Sequence, residues 1–125
     1  MKVAIPHHGE DVTPYFEYTG GITIYEIHKN RVVAQTDFTL RSREKLDRVR
    51  LLRDQGVSVL ICSGIQAAHE DLLTASGIQV ISWVSGKANE VLHLFLENAL
   101  APGSADYESQ DEGNTKESNE GITDS

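Results

Sequence analysis

Cys62 is the one cysteine of the chain, and it closes the apolar run Val57-Ser58-Val59-Leu60-Ile61 directly before Ser63-Gly64. A thiolate is the soft ligand favoured by iron, copper and iron–sulfur centres. His7-His8-Gly9-Glu10-Asp11 follows the first apolar run, and imidazole suits iron, zinc, copper and nickel. Neighbouring residues of an extended chain point to opposite sides, so one histidine of the pair faces a given crevice; we favour His8. Ser63 and Gly64 stand where a helix is expected to begin, and backbone amides there attract sulfide, carboxylate or oxyanion groups. Cys62 and His8 are the candidate metal ligands, with Ser63, Gly64 and Arg41 as further contacts for an anionic group. One thiolate cannot hold a four-thiolate cluster alone. Such a cluster would be shared across a homodimer, completed by histidines, or held mainly by amides and shape.

Each of these residues also has a plainer reading. A free cysteine at a strand end is commonly a small buried hydrophobe, and two adjacent histidines fit an exposed loop equally well. Glu10 and Asp11 look more like a solvated loop than a catalytic carboxylate pair. His69 can face the same rim, but a half-exposed helix position is the simpler expectation; His28 and His93 carry no site argument. Arg41, Arg43, Lys45, Arg48, Arg50 and Arg53 place six cations in thirteen residues, offset by Glu44 and Asp47. This basic stretch can attract an anionic cofactor, an acidic partner surface or the chain's own acidic segment. It is also what a solvated helix face looks like.

The elements that must position these residues are short. Val3-Ala4-Ile5 reads as a strand stopped by Pro6, followed by a long polar segment over 7–20 in which Tyr15 and Phe16 are aromatic anchors. Residues 22–28 and 31–38 read as a hairpin about Lys29-Asn30. Ile22 and Ile24 share one face of it; Thr23, Tyr25 and Ile27 share the other. Ser42 can cap a helix over 43–54 that buries Leu46, Val49 and Leu52. A strand over 57–62, a helix over 65–75 burying Ile65, Ala68, Leu72 and Leu73, a strand over 78–84 and a helix over 87–99 complete the series. The order β-β-β-α-β-α-β-α implies an α/β domain with a mixed five-stranded sheet and two right-handed parallel crossovers. The ends of its parallel strands are where such folds keep ligands.

Charge divides the 125 residues unevenly. Residues 1–103 carry 12 acidic and 10 basic side chains, whereas 104–125 carry 7 acidic side chains and one lysine. That second segment, with Tyr107 and Ile122 as its only large apolar groups, reads as a disordered acidic tail after a single domain over 1–103. The net charge of -8 argues against bulk nucleic-acid binding. One cysteine excludes an intramolecular disulfide, and the first apolar stretch is too short for a signal peptide. No run approaches the ~18 apolar residues needed to span a bilayer. A soluble, cytoplasmic protein is expected.

Four stretches resemble the dinitrogenase iron–molybdenum cofactor biosynthesis family, which includes NifX, NifY and the carboxy-terminal domain of NifB. They are Met1-Lys2-Val3-Ala4-Ile5-Pro6, Val12-Thr13-Pro14-Tyr15-Phe16, Leu60-Ile61-Cys62-Ser63-Gly64-Ile65 and Leu73-Thr74-Ala75-Ser76-Gly77-Ile78-Gln79-Val80. The likeness covers about residues 1–101 and lies in the order and spacing of these motifs. It implies a ribonuclease-H-like three-layer fold. It also implies handling of iron–molybdenum or iron–sulfur cofactors, and related orange proteins hold a molybdenum–copper sulfide cluster. Tyr15 stands where the family has a histidine, Glu17 and Ser63 where it has glycines, and Gln66 where its Gly-Gly-Ile-Gly loop ends.

Three function classes follow. The first is a non-enzymatic carrier or chaperone that captures an anionic metal–sulfur cofactor and passes it between a cluster donor and an acceptor protein. The second is a cofactor-free regulatory or docking protein of the same fold, which the four departures favour. The third is an enzyme. A nuclease needs clustered carboxylates for two metals, and the strands offer only Glu26. Nucleophilic catalysis by Cys62 lacks an orienting third group. We therefore expect no enzyme.

Overall fold

The computed structural model describes residues 1–98; the acidic segment 104–125 lies outside the described residues. Six strands and three helices follow in the order β1 (Lys2–His8), β2 (Asp11–Val12), a 3-10 turn (Phe16–Tyr18), β3 (Gly21–His28), β4 (Arg31–Thr39), α1 (Leu46–Asp54), β5 (Val59–Ile61), α2 (Ala67–Ala75), β6 (Gln79–Ile81) and α3 (Ala88–Leu96). The main sheet runs β4-β3-β1-β5-β6, and β2 pairs with the end of β1. β1, β5 and β6 are parallel, whereas β3 and β4 are antiparallel to their neighbours. The mixed sheet is as expected, with β2 as a sixth strand beyond the anticipated five.

Period-2 alternation sends the core to both faces of the sheet. Val3, Ile5, Tyr25, Ile27, Val59 and Ile61 pack with Val91 and Leu92 of α3. Ala4, Ile22, Ile24, Leu60 and Cys62 pack with Val49 and Leu52 of α1 and Leu73 of α2. The result is a three-layer α/β sandwich. Each fully buried Leu or Ile of these faces stabilises the fold by roughly 1.5–3 kcal/mol.

Several local expectations need correction. Pro6 does not stop β1. Met1 and Ile27 exchange backbone bonds of 2.9 and 2.7 Å, so Val3, Ile5 and His7 turn their backbone groups toward β3. Pro6 faces the other flank, where its missing N–H costs no bond to β3 and its carbonyl oxygen accepts from Thr13 at 3.0 Å. α1 begins at Leu46 and not at residue 43. The carbonyls of Ser42 and Glu44 accept from the Arg48 guanidinium at 2.7 and 3.1 Å, so the chain before the helix is held by a side chain of the helix itself. In α2, Leu72 is exposed and His69 takes the buried position. The Lys29-Asn30 turn is as read: both residues have positive φ, 51° and 66°, as a two-residue primed hairpin turn requires.

Candidate functional site

The parallel strands β1, β5 and β6 end together on one edge of the sheet, and every predicted site residue except Arg41 lies at or just after the end of one of them. Cys62 continues the sheet: its N–H donates to Ile81 at 3.0 Å and its carbonyl accepts from Val84 at 3.0 Å. The side chain turns into the layer beneath α1 and α2 and is fully buried, in the cluster containing Phe16, Leu60 and Leu73. Burial pushes the thiol up to about 12, with Glu70 and Glu17 adding to the rise. At neutral pH the sulfur is a protonated, enclosed thiol, which is neither a nucleophile nor a ready metal ligand.

Ser63 and Gly64 are held by the chain itself. The Ser63 carbonyl accepts from Trp83 at 2.9 Å, Gly64 N–H donates to Pro14 at 2.8 Å, and the Gly64 carbonyl accepts from Phe16 at 2.8 Å. The Gly64 amide, expected to be free for an anion, is therefore taken. Glycine is required there because a Cβ would lie 2.7 Å from Tyr15 Cδ1 and 2.9 Å from the Pro14 carbonyl oxygen. The segment carrying Pro14, Tyr15 and Phe16 is pressed against the loop after β5.

The Gln66 amide of the same loop is also filled. Glu17 is 3% exposed; its Oε2 accepts from Gln66 N–H at 2.9 Å and lies 2.7 Å from His69 Nδ1. Gln66 precedes the first residue of α2, so a carboxylate occupies the positive end of that helix. Toward an ionised carboxylate, Nδ1 is the donor of this bond. The expected half-exposed His69 is instead a buried partner of Glu17. No sequence signal singled out Glu17 as a ligand, although a departure from glycine was visible at that position.

His8 is exposed at the end of β1, opposite Asp11, while the Cys62 sulfur is inside the core. The two candidate metal ligands are thus not brought together. His7, and not His8, is the histidine of the pair that lines a concavity, of about 440 Å³, with Glu10, Thr23, Tyr25, Asp37 and Asn89 among its neighbours. The His7 ring lies over Gly21, where a Cβ would meet Cε1 at 3.0 Å. Arg41 is exposed between β4 and α1. Among the described residues, no group of three His, Cys, Asp or Glu side chains could hold a metal ion.

What the edge does offer is aromatic surface. Tyr15, Glu17, Tyr18, Ile65, Gln66 and Trp83 line a hollow of about 270 Å³. Tyr15, Tyr18 and Trp83 are 56%, 66% and 58% exposed. The two tyrosines stand edge to face at 6.5 Å, and Lys45 Nζ lies 5.2 Å from the Tyr18 ring centre. Trp83 has φ 62°, a left-handed conformation that bulky residues rarely adopt, so its outward presentation is imposed by the loop.

The family model described as dinitrogenase iron-molybdenum cofactor matches residues 1–98. The chain belongs to this family. Its fold is shared with solved proteins at low sequence identity. PH0822 is 21% identical with a TM-score of 0.77, covering 88% of this chain and 100% of its own. The apo orange protein of Desulfovibrio gigas is 19% identical with a TM-score of 0.67, covering 81% and 91%. A Thermotoga protein described as a candidate NifB is 25% identical with a TM-score of 0.63, covering 81% and 91%. No curated protein matches the chain. Within the family frame, the donor set at this edge does not fit an anionic metal–sulfur cluster. The thiol is enclosed, the Gly64 and Gln66 amides are used, and a carboxylate of the same charge sign already sits on α2.

Proposed function

We propose that this family member serves metallocofactor assembly as a docking protein, engaging a cluster donor or acceptor protein through its aromatic edge without ligating the cluster itself. The observation that carries this reading is Glu17. Its carboxylate fills the helix-end position that an anionic cargo would need, and it is anchored there by Gln66 and His69. Tyr15, Tyr18 and Trp83 then supply the exposed contact area, and buried Tyr and Trp anchors dominate many protein interfaces. This role involves no reaction and makes the chain a non-enzymatic, cofactor-free component.

The carrier reading retains one specific support, the family match itself. Under it, Glu17 must leave α2 when an iron–molybdenum or iron–sulfur type cluster arrives, exposing the Gln66 amide and the His69 ring. Anaerobic purification from cells supplied with iron and molybdate, followed by a reconstitution trial, separates the two. The docking reading expects less than one-tenth of an equivalent of metal and sulfide (about 0.1 per chain at most) in the natural protein. It also expects a gain of anion binding in Glu17→Gly, because removing the carboxylate uncovers a helix N-terminus. Stoichiometric metal and sulfide in the natural protein would establish the carrier.

A further inference from the structure

We propose that the acidic segment 104–125 docks on the basic side of α1 and of the loop before it, covering Arg41, Arg43, Arg50 and Arg53. These four residues are exposed, and Lys45 is half-exposed at the aromatic edge beside Tyr18. Arg48 is excluded from the surface. It is 5% exposed, and its guanidinium donates to the carbonyls of Ser42, Glu44 and Thr19. With Arg48 set aside, residues 41–54 present five cations against Glu44, Asp47 and Asp54, and Arg50 already meets Asp47 at 2.8 Å, whereas 104–125 hold seven carboxylates against Lys116. Opposite charges of this density attract most strongly at low salt.

The topology brings the two segments within reach. Asn30 Nδ2 donates to the Leu96 carbonyl at 2.7 Å, fixing the end of α3 beside the β3–β4 turn. Lys2 Nζ donates to the Gln55 carbonyl at 3.0 Å, fixing the end of α1 beside the start of β1. Met1 pairs with Ile27 at that same edge. Both helices therefore end at one edge of the sheet, on opposite faces, with Arg50 and Arg53 in the last turns of α1. Crossing two layers takes about 20 Å, at about 10 Å per layer. Asp106, Glu108, Asp111 and Glu112 follow Asn98 by eight to fourteen residues, and that many residues reach at most about 26–50 Å, more than the crossing requires. The later carboxylates, up to Asp124, have chain enough to follow α1 toward Arg41 and the aromatic edge. Docked in this way, the segment competes with any acidic partner for the basic surface.

A nitroxide on Ser109→Cys in the full chain tests this, because the buried Cys62 thiol stays unlabelled. At about 20 mM salt, amide signals over 41–53 should lose at least about half their intensity while those of α3's exposed face keep theirs. The loss should vanish at about 500 mM salt, where the Debye length falls to roughly 4 Å. It should also vanish when Asp106→Asn, Glu108→Gln, Asp111→Asn and Glu112→Gln are combined, substitutions outside the folded body. Even broadening over the whole surface overturns the proposal, as does a local effect that survives this neutralisation. A local effect seen equally when labelled and isotope-enriched chains are separate molecules overturns it too, assigning the surface to a second copy.

Discussion

The loop after β5 and the hairpin after β1 emerge from the same edge of one sheet, yet they treat their polar groups in opposite ways. After β5, the backbone of Ser63, Gly64 and Gln66 is bonded to Trp83, Pro14, Phe16 and Glu17, and the cysteine is sealed beneath. After β1, the backbone is tied to the start of α3, with the Glu10 carbonyl accepting from Ala88 N–H at 2.8 Å, but the side chains of His8, Glu10 and Asp11 face solvent, Glu10 meeting Lys87 in a 3.2 Å surface pair. Residue types suited to chemistry stand on both loops. A site needs unspent bonding capacity, and the first loop has given its capacity to the segment 14–17 and to Trp83. Buried groups with partners hold structure together; exposed ones without a common focus do not assemble a ligand set.

The sharpest way to break this contrast is at its two glycines. Gly64→Ala drives a methyl into the Pro14 carbonyl and Tyr15 ring and is expected to cost about 2–3 kcal/mol, within the range of overpacked cores. Gly9 has φ 62° but open space around it, so Gly9→Ala should cost about 1 kcal/mol from backbone strain alone. Chemical denaturation of both variants measures the difference. Equal costs would mean that the two loops are equally loose. Glu17→Ala comes next, at about 2 kcal/mol, since it strips a cap from α2 and leaves His69 unpartnered in the interior. Glu17→Gln keeps an acceptor oxygen and should lose about half as much.

The fold was legible because its signals are repetitive: β-strand alternation in Ile22 to Ile27, the helical stripe of Val49 and Leu52, the turn residues Lys29-Asn30. The motif order likewise located the family. The site was less legible, since its decisive contacts join residues far apart in sequence. Glu17 reaches His69 across 52 positions, and Arg48 reaches Thr19 across 29. Neither pairing has a periodic trace. Arg48 illustrates the limit: within a run of cations it looks like surface, but backbone carbonyls accept its guanidinium inside the protein. Which of His7 and His8 faces inward depended on whether β1 continued past Pro6, and that was settled by the flank to which Pro6 turns its nitrogen.

Cys62 sharpens the comparison chemically. With a thiol pushed up to about 12 by burial, the thiolate is scarce at pH 8. Native protein should resist iodoacetamide for hours and react at once in denaturant. An unfolded cysteine titrates near 8.5, so between about 8.5 and 12 the unfolded chain has lost a proton that the folded chain keeps. The contribution of this burial is complete below about 8.5, and stability falls as pH rises through that window. Cys62→Ala, which cannot ionise, should flatten that part of the stability curve while costing about 1 kcal/mol at neutral pH. Rapid labelling of native protein would show that the loop opens more readily than its bonds suggest.

The smallest expected effect belongs to the open hairpin. His8→Ala removes an exposed ring at a strand end, and its cost should stay below about 0.5 kcal/mol, as for surface positions without special contacts. His7→Ala should cost more, about 1 kcal/mol, because the partly buried imidazole packs across Gly21 and its loss leaves space beside Thr23 and Tyr25. Adding zinc or nickel to the natural protein and to His8→Ala, and following Tm, adds a second readout. A metal that raised Tm in the first and not in the second would make His8 a ligand after all, and would show that the hairpin holds bonding capacity the sealed loop lacks.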